Sequence, residues 1–170
     1  PSQEDLSKLK HLLRYIRGTE NYQFIIRPNI QLSGSDCTLD LDVYCDSDWA
    51  GCSRTRKSTT GFIVFFLGTP VQFASRTQAV HALSSGEAEL YAIGSATAEA
   101  LHVRSFLLEA GFCRKLLISI RTDAKAGKSM AVRYGCSKKT RHVELRFLYI
   151  QHLVHQNLIR VKKIPGHFNI

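Results

Sequence analysis

The chain has 170 residues, of which 44% are hydrophobic, and it carries a formal net charge of +9 at neutral pH. This length predicts one domain with its own core, and the absence of long apolar runs and of Cys pairs at metal or disulfide spacing argues against a membrane-spanning protein and a secreted disulfide scaffold. Because 23 Lys and Arg oppose only 14 Asp and Glu, the charge favours a polyanionic partner such as nucleic acid, with an unremarkable basic protein as the alternative.

The N-terminal region predicts one helix and one short strand. Ser2 is a suitable N-cap, and apolar residues recur at helical spacing from Leu6 to Ile16 until Gly18 ends the helix. Residues 22–27 predict a strand, and residues 31–37 predict a turn. Since the chain does not open with Met, we expect it to be a piece of a longer protein.

The middle of the chain predicts an antiparallel meander followed by a long helix. Alternation from Leu39 to Cys45 predicts the first strand, and residues 59–67 and 71–75 predict two more, joined by short connections. A helix with a continuous apolar stripe is predicted from Ser84 to Ala110, where Gly111 ends it.

The remaining segments predict a strand at 116–122, helices at about 124–134 and 143–156, and a strand at 158–164. After the first helix the order is therefore βββαβααβ. This order predicts an α/β fold in which helical crossovers add parallel strands to the meander. We find no internal repeat or low-complexity segment.

Three carboxylates stand where these elements can meet at one edge of the sheet. Asp46 closes the first strand, Glu89 lies one turn into the long helix, and Asp123 closes the strand at 116–122. Clustered carboxylates repel each other unless cations hold them, and hard divalent cations such as Mg²⁺ prefer oxygen ligands. In a strongly basic chain, this pattern predicts metal-assisted cleavage of a phosphodiester.

Each carboxylate also has a simpler structural explanation. Asp46 could belong to a turn, with Asp48 as a rival for any role, Glu89 could lie at the frayed rim of its helix, and Asp123 could be an N-cap. Glu87 has the spacing of a capping box and so a structural role of its own. Glu89 instead extends the apolar stripe, where an unpaired carboxylate is costly. The coincidence of three such residues favours the site.

Two long motifs resemble the ribonuclease H domain of copia-type retrotransposon polyproteins. The first is Tyr44-Cys45-Asp46-Ser47-Asp48-Trp49-Ala50-Gly51 with Arg56-Lys57-Ser58-Thr59-Thr60-Gly61-Phe62, and the second is Ala82-Leu83-Ser84-Ser85-Gly86-Glu87-Ala88-Glu89-Leu90-Tyr91-Ala92. Residues 139–143 support the resemblance, which runs from about Leu39 to the end. Residues 9–19 resemble the tail of a reverse transcriptase. We therefore expect a reverse-transcriptase tail at 1–30 and a ribonuclease H-like domain at 38–170.

The resemblance implies a ribonuclease H-like fold, with a five-stranded mixed sheet flanked by helices, and Mg²⁺-dependent hydrolysis of the RNA strand of RNA–DNA hybrids during reverse transcription. It assigns Asp46, Glu89 and Asp123 as catalytic ligands of two Mg²⁺ ions, with Mn²⁺ as a substitute, and His167 as a mobile catalytic residue. The family's fourth carboxylate and its C-terminal helix would lie beyond Ile170. We therefore expect a C-terminally truncated domain with weak activity.

The expected nucleic-acid contacts lie in the motifs and in basic loops around the proposed site: Arg56, Lys57, Ser58, Thr59, Arg76, Lys125, Lys139, Arg141 and His142. The expected partners are an RNA–DNA hybrid and the reverse transcriptase domain of the same polyprotein, with no membrane. The expected location is intracellular, in a cytoplasmic retrotransposon particle with a nuclear phase.

Three departures from the family pattern support an alternative function. Ala124 stands where the family has Asn, Phe73 stands where it has Trp, and Arg141 stands where it has Lys. Together with the missing fourth carboxylate, these changes favour a catalytically silent nucleic-acid-binding module from a decayed element. A transposase or integrase on the same fold would need a different motif after the first strand.

Overall fold

The computed structural model describes residues 2–23, 25–26, 38–133 and 145–169. In chain order the elements are α1 (Gln3–Thr19), β1 (Thr38–Asp48), β2 (Thr59–Phe66), β3 (Thr69–Thr77), α2 (Ser85–Glu109), β4 (Lys115–Thr122), α3 (Lys125–Val132), α4 (Leu145–His155), β5 (Ile159–Lys163) and a 3₁₀ turn (Gly166–Phe168). Within these ranges, no helix has both the length and the apolar character needed to cross a membrane.

The five strands form one mixed sheet in the order β3-β2-β1-β4-β5. The pairs β1–β2 and β2–β3 are antiparallel, as predicted for the meander, whereas β4 pairs in parallel with β1 and β5 pairs in parallel with β4. These pairings make β3 and β4 run in the same direction, so a tight turn cannot join them and the helix α2 connects them instead. The predicted five-stranded mixed sheet is confirmed.

The core lies between the sheet and α2. Leu41, Val43 and Cys45 alternate along β1 and are buried, as the period-two pattern predicted. They face the stripe of α2 that includes the buried residues Ile93 and Ala96, and α3 and α4 pack beside α2. The stripe extends as far as the buried Leu107, with Val103 half-buried, whereas Ala110, its last predicted member, is exposed.

Local capping explains where α2 begins and ends. The Ser84 hydroxyl accepts the Glu87 backbone N–H at 3.2 Å, and the Glu87 carboxylate accepts the Leu83 N–H at 3.0 Å instead of the Ser84 N–H of a standard capping box. At the other end, Gly111 adopts a positive φ of 74°, and the Phe112 N–H returns to the Leu107 carbonyl. The predicted helix end at Gly111 is confirmed, because glycine adopts this left-handed conformation without a Cβ clash.

The structure corrects several local expectations. The predicted strand at 22–27 is wrong for its described residues 22, 23, 25 and 26, which form no strand. Tyr22 and Ile25 are exposed there, and an apolar extended segment becomes a strand only when another strand pairs with it. The β2–β3 hairpin turns at Leu67 and Gly68, one residue earlier than the predicted strand ends imply. Both residues have positive φ, which is the backbone geometry of a two-residue hairpin turn. The expected turn at 31–37 lies outside the described residues.

Candidate active site

The sheet register brings Asp46 and Asp123 to the same end of two neighbouring strands. Tyr44 of β1 pairs in parallel with Arg121 of β4, so two residues further along both strands Asp46 comes beside Asp123. Asp46 is still inside β1, opposite Gly61 of β2, because β1 extends to Asp48 instead of ending at Asp46 as predicted.

Glu89 reaches this end of the sheet from the second turn of α2. Its side chain is only 8% exposed, and its Oε2 atom has no hydrogen-bond partner. Burial raises the pKa of Glu89 to about 7, and the negative charges of Asp46 and then Asp123 add to the rise, while Ser47 partly opposes it. The frayed-rim explanation is therefore wrong, since the carboxylate is held inside the protein beside two others.

The thiol of Cys45 lies close to all three carboxylates. It is 2% exposed, and burial raises the pKa of this thiol, with further increases from Glu89, Asp46 and Asp123 in that order. Because the charges of all three residues act on this one thiol, the three carboxylates lie near one another. The thiol itself stays protonated and unreactive at neutral pH.

Two further buried polar atoms without a hydrogen-bond partner belong to residues that adjoin Asp46 in sequence or contact the residue before it. Besides Glu89 Oε2, the Ser47 hydroxyl and Asn169 Oδ1 are buried without a hydrogen-bond partner. The amide of Asn169 donates to the Cys45 carbonyl at 3.4 Å, which brings the C-terminal segment against β1. Buried polar groups are normally satisfied, so unsatisfied ones point to a ligand or solvent site. Sequence reasoning assigned no role to Ser47 or Asn169, and no motif spacing indicated one.

The simpler explanations for Asp46 and Asp123 are also not supported by the structure. The N-cap of α3 is Ala124, whose N–H is accepted by the Thr122 hydroxyl at 3.2 Å, so Asp123 does not cap the helix. Turn chemistry belongs to Asp48 instead, because its carboxylate occupies the space over Gly51, where a Cβ would lie 1.7 Å from Oδ2. Asp46 and Asp123 are thus both available to a ligand.

The curated relatives of this chain include polyproteins of plant transposons. The chain is 30% identical over 169 residues to the retrovirus-related Pol polyprotein from transposon TNT 1-94 of Nicotiana tabacum, covering 99% of this chain and 12% of that protein. It is 28% identical over 167 residues to the Pol polyprotein from transposon RE1 of Arabidopsis thaliana, covering 98% of this chain and 11% of that protein. No protein-family model matches the chain.

Solved structures with the same fold include a ribonuclease H and a viral protease-reverse transcriptase. A ribonuclease H1 isolated from compost aligns with a TM-score of 0.57 at 14% identity, over 78% of this chain and 89% of that chain. The foamy viral protease-reverse transcriptase solved with an RNA/DNA hybrid aligns with a TM-score of 0.54 at 11% identity, over 90% of this chain and 23% of that chain.

This chain is a retrotransposon Pol homologue with the ribonuclease H fold. The resemblance inferred from the two motifs is confirmed, and so is the fold class. The Pol homologue spans about one-eighth or less of the length of these curated relatives.

The carboxylates of this Pol homologue offer suitable ligands for a hard cation. Asp46, Glu89 and Asp123 supply only oxygen atoms, and none of them forms an ion pair with a basic side chain in the described part of the chain. Over the same described residues, no group of three or more His, Cys, Asp and Glu side chains is arranged to hold a metal ion. The metal assignment therefore stays a prediction that is consistent with the donor chemistry and with the unpartnered Glu89 oxygen.

The predicted nucleic-acid contacts of the Pol homologue have different surroundings. Arg56 and Lys125 are exposed, Thr59 is half-buried at the start of β2, and Arg76 is paired with Glu99 at 2.8 Å. Ser58 is 1% exposed and accepts the Ala50 N–H, so its hydroxyl is used within the loop. Lys57 donates to the Ala79 carbonyl. Three further predicted contacts lie outside the described residues: Lys139, Arg141 and His142.

His167 is exposed in the Pol homologue, in a turn at the edge of the proposed site. It belongs to the 3₁₀ turn Gly166–Phe168, and its ring centroid is 4.2 Å from that of Phe168. A Cβ on Gly166 would lie 3.3 Å from Asp123 Oδ2, so the turn contacts the edge of the site. The catalytic role of this exposed histidine stays a prediction.

Proposed function

We propose that this Pol homologue is a Mg²⁺-dependent ribonuclease H that hydrolyses the RNA strand of RNA–DNA hybrids during retrotransposon reverse transcription. The observation that carries the proposal is the convergence of Asp46, Glu89 and Asp123 on a ribonuclease H fold, with the Glu89 side chain buried and its Oε2 atom unpartnered. The names of the relatives and the hybrid bound in the foamy viral enzyme support the same activity. The reverse transcriptase domain of the same polyprotein would be its partner in the particle.

In the proposed mechanism the three carboxylates would hold Mg²⁺ through their oxygens, with Mn²⁺ as a substitute. When bound, Mg²⁺ supplies positive charge that makes an attacking water more acidic and stabilises the oxygen that leaves the phosphate. Glu89 must lose its proton to serve as a ligand, and its raised pKa makes this step sensitive to pH. The walls around Glu89 keep bulk water away from the buried oxygen.

The remaining groups would bind and orient the substrate. Exposed Arg56 and Lys125 would contact phosphates, and 2′-hydroxyl groups in the wide minor groove of an A-like duplex would distinguish RNA from DNA. His167, exposed at the edge of the site, would take up or release a proton at its ring nitrogen as the product leaves.

The first test replaces Asp46. We expect Asp46→Asn to reduce Mg²⁺-dependent cleavage of a labelled hybrid by at least about a hundredfold, because a neutral amide is a much poorer ligand for a hard cation. The fold should survive, since Asp46 is exposed. Circular dichroism and a hybrid-cleavage assay measure the two effects.

Asp48→Asn is the matched control, because this nearby carboxylate lies against Gly51 in a turn. It should retain most of the wild-type cleavage rate. Cleavage by Asp46→Asn at the wild-type rate, combined with loss of cleavage by Asp48→Asn, would exchange their roles and contradict the assignment.

A second candidate function is a catalytically silent module that only holds the hybrid. Two observations favour it. Ala124 follows Asp123, and no group of three or more His, Cys, Asp and Glu side chains among the described residues is arranged to hold a metal ion. Thermal unfolding with and without Mg²⁺ separates the two functions, because a ligand that binds only the folded state raises its stability. No Mg²⁺-dependent shift in the melting temperature would favour the silent module.

A further inference from the structure

Two loops beside the carboxylates are joined into one unit, which we call the paired loops (residues 49–58 and 78–83). Four hydrogen bonds connect them: the Trp49 indole N–H to the Ala82 carbonyl at 3.1 Å, the His81 ring to the Thr55 carbonyl at 2.9 Å, the Lys57 ammonium to the Ala79 carbonyl at 3.0 Å, and the Gln78 N–H to the Ser58 carbonyl at 2.8 Å. These four bonds tie the two loops together.

The backbone of the paired loops is also strained. Ala50 and Arg56 have φ values of 53° and 56°, in the left-handed region that residues with a Cβ seldom adopt. The buried hydroxyl of Ser58 accepts the Ala50 N–H at 3.1 Å and supports one of these positions. Strain of this kind persists where the surrounding structure holds it, and it is concentrated at functional sites.

The paired loops present two large apolar side chains to solvent. Trp49 is 50% exposed although its indole N–H is bonded, and Leu83 is 68% exposed. Because the bond from Trp49 reaches Ala82, the residue next to Leu83, the two side chains extend from adjoining backbone segments. Apolar side chains that are held in water in this way are suited to contact with a partner.

The position of this apolar pair relates it to the proposed site. Trp49 follows Asp46 by three residues, and Leu83 directly precedes Ser84, the N-cap of the helix that carries Glu89. The paired loops contain Arg54, Arg56, Lys57 and His81 and no Asp or Glu. A partner that matches this surface has negative charge together with apolar patches, which describes the phosphates and sugars of a nucleic-acid strand.

We infer that Trp49 and Leu83 pack against the sugars and base edges of the strand whose phosphate lies at Asp46 and Glu89. This inference rests on the proposed function and adds to it a substrate-contacting surface that sets the position of the strand. Trp49 is suited to the contact, because its hydrogen bond to Ala82 fixes the ring before binding and lowers the entropy that binding must remove.

The test uses the emission of Trp49, the sole tryptophan of the chain. The wild-type 170-residue chain is titrated with a dye-labelled RNA–DNA hybrid without divalent cations, so that binding proceeds without cleavage. Dye anisotropy reports binding, and tryptophan emission with iodide quenching reports contact at Trp49. We expect the emission to change and iodide access to fall over the same hybrid concentrations at which the anisotropy rises.

Two outcomes separate the inference from the proposed function. Hybrid binding by anisotropy with unchanged Trp49 emission and unchanged iodide access contradicts the inference and leaves the proposed function intact. Absence of any hybrid binding contradicts the proposed function, and the inference with it.

Substitutions give an independent measure of the same contact. We expect Trp49→Ala to weaken hybrid binding about tenfold, the scale of one aromatic contact, and Trp49→Phe to retain most of the affinity because it keeps a ring. Phe112→Ala is the matched control, since Phe112 is an aromatic residue of similar exposure, 58%, at the far end of α2. Equal affinity of Trp49→Ala and Phe112→Ala, with both folded by circular dichroism, would overturn the inference.

Discussion

Glu89 shows at the scale of one residue how burial selects among similar side chains. Glu87, two positions earlier, is as deeply buried, but its carboxylate accepts hydrogen bonds from the Leu83 N–H and the Tyr91 hydroxyl. Glu89 is left with an unpartnered oxygen and two neighbouring negative charges. The difference in hydrogen bonding, and not in residue type, makes Glu87 structural and Glu89 the candidate ligand.

This environment predicts a pH-dependent stability for the metal-free chain. The pKa of Glu89 is about 7 in the folded state against 4.5 as the ordinary value, so the folded state binds the proton more tightly. The free energy of unfolding should therefore fall as pH rises from about 4.5 through about 7, by up to roughly 3 kcal/mol. Urea unfolding of the wild type at several pH values in this range measures the effect.

Glu89→Gln provides the comparison, because the amide cannot titrate. The difference in unfolding free energy between the variant and the wild type should increase with pH over this window. Excess Mg²⁺ should remove most of the pH effect from the wild type, since a bound cation favours the ionised carboxylate. Parallel pH profiles for the two proteins would show that Glu89 ionises normally in the folded state.

At the scale of elements, the close approach of α3 to α2 builds the wall behind Glu89. A Cβ on Gly127 of α3 would lie 2.7 Å from Glu89 Cβ, and a Cβ on Gly86 of α2 would lie 2.8 Å from Ala126 Cβ. Real Cβ atoms do not approach so closely, so the two glycines permit a contact that any other residue would push apart. Burial of Glu89 depends on this contact.

We expect Gly127→Ala to destabilise the fold by about 1–3 kcal/mol, because the added methyl group forces α3 away from α2. The same displacement should expose Glu89, return its pKa toward the ordinary value and lower cleavage. Chemical unfolding and hybrid cleavage measure the two effects. Gly18→Ala in α1 is the control, since no atom lies within 4 Å of the added Cβ. A Gly127→Ala protein as stable and active as Gly18→Ala would contradict the close-packing argument.

At the scale of the whole molecule, the proposed function gives the positive charge and the carboxylate site different parts of a nucleic acid to contact. The net charge of +9 would attract the phosphate backbone over a long range without reading sequence, whereas the carboxylates would act only at one phosphate. Basic side chains on the paired loops, such as Arg56, would contribute to both contacts, because they carry positive charge close to the proposed site.

Binding of the hybrid should therefore weaken steeply with salt. Counterion release predicts a loss of about a hundredfold between about 50 and about 200 mM salt for roughly four phosphate contacts. Arg56→Ala should reduce the slope of log affinity against log salt by about one, whereas Lys10→Ala in α1 should leave the slope unchanged. Anisotropy titrations at several salt concentrations measure both. An affinity that hardly changes with salt would show that the positive charge is not a phosphate-binding surface.

Much of the architecture could be predicted because it depends on local periodicity. The strand at β1 follows from alternation between Leu41 and Cys45, and the end of α2 follows from Gly111, whose conformational freedom is a property of the residue itself. The strand expected at 22–27 failed because pairing is not local: the pattern of apolar residues was suitable, but its described residues have no partner strand.

The sequence by itself determined the fold class and indicated Asp46, Glu89 and Asp123 as candidate ligands, because the helix and strand periods and the two motifs depend only on the order of residues. Only the tertiary structure decided that the β1–β4 register sets Asp46 beside Asp123, that Gly127 allows Glu89 to be buried, and that Trp49 remains half-exposed on joined loops. These features depend on contacts between residues far apart in sequence. Register, burial and the resulting pKa are properties of the packed molecule, since each is set by neighbours that the local pattern does not name.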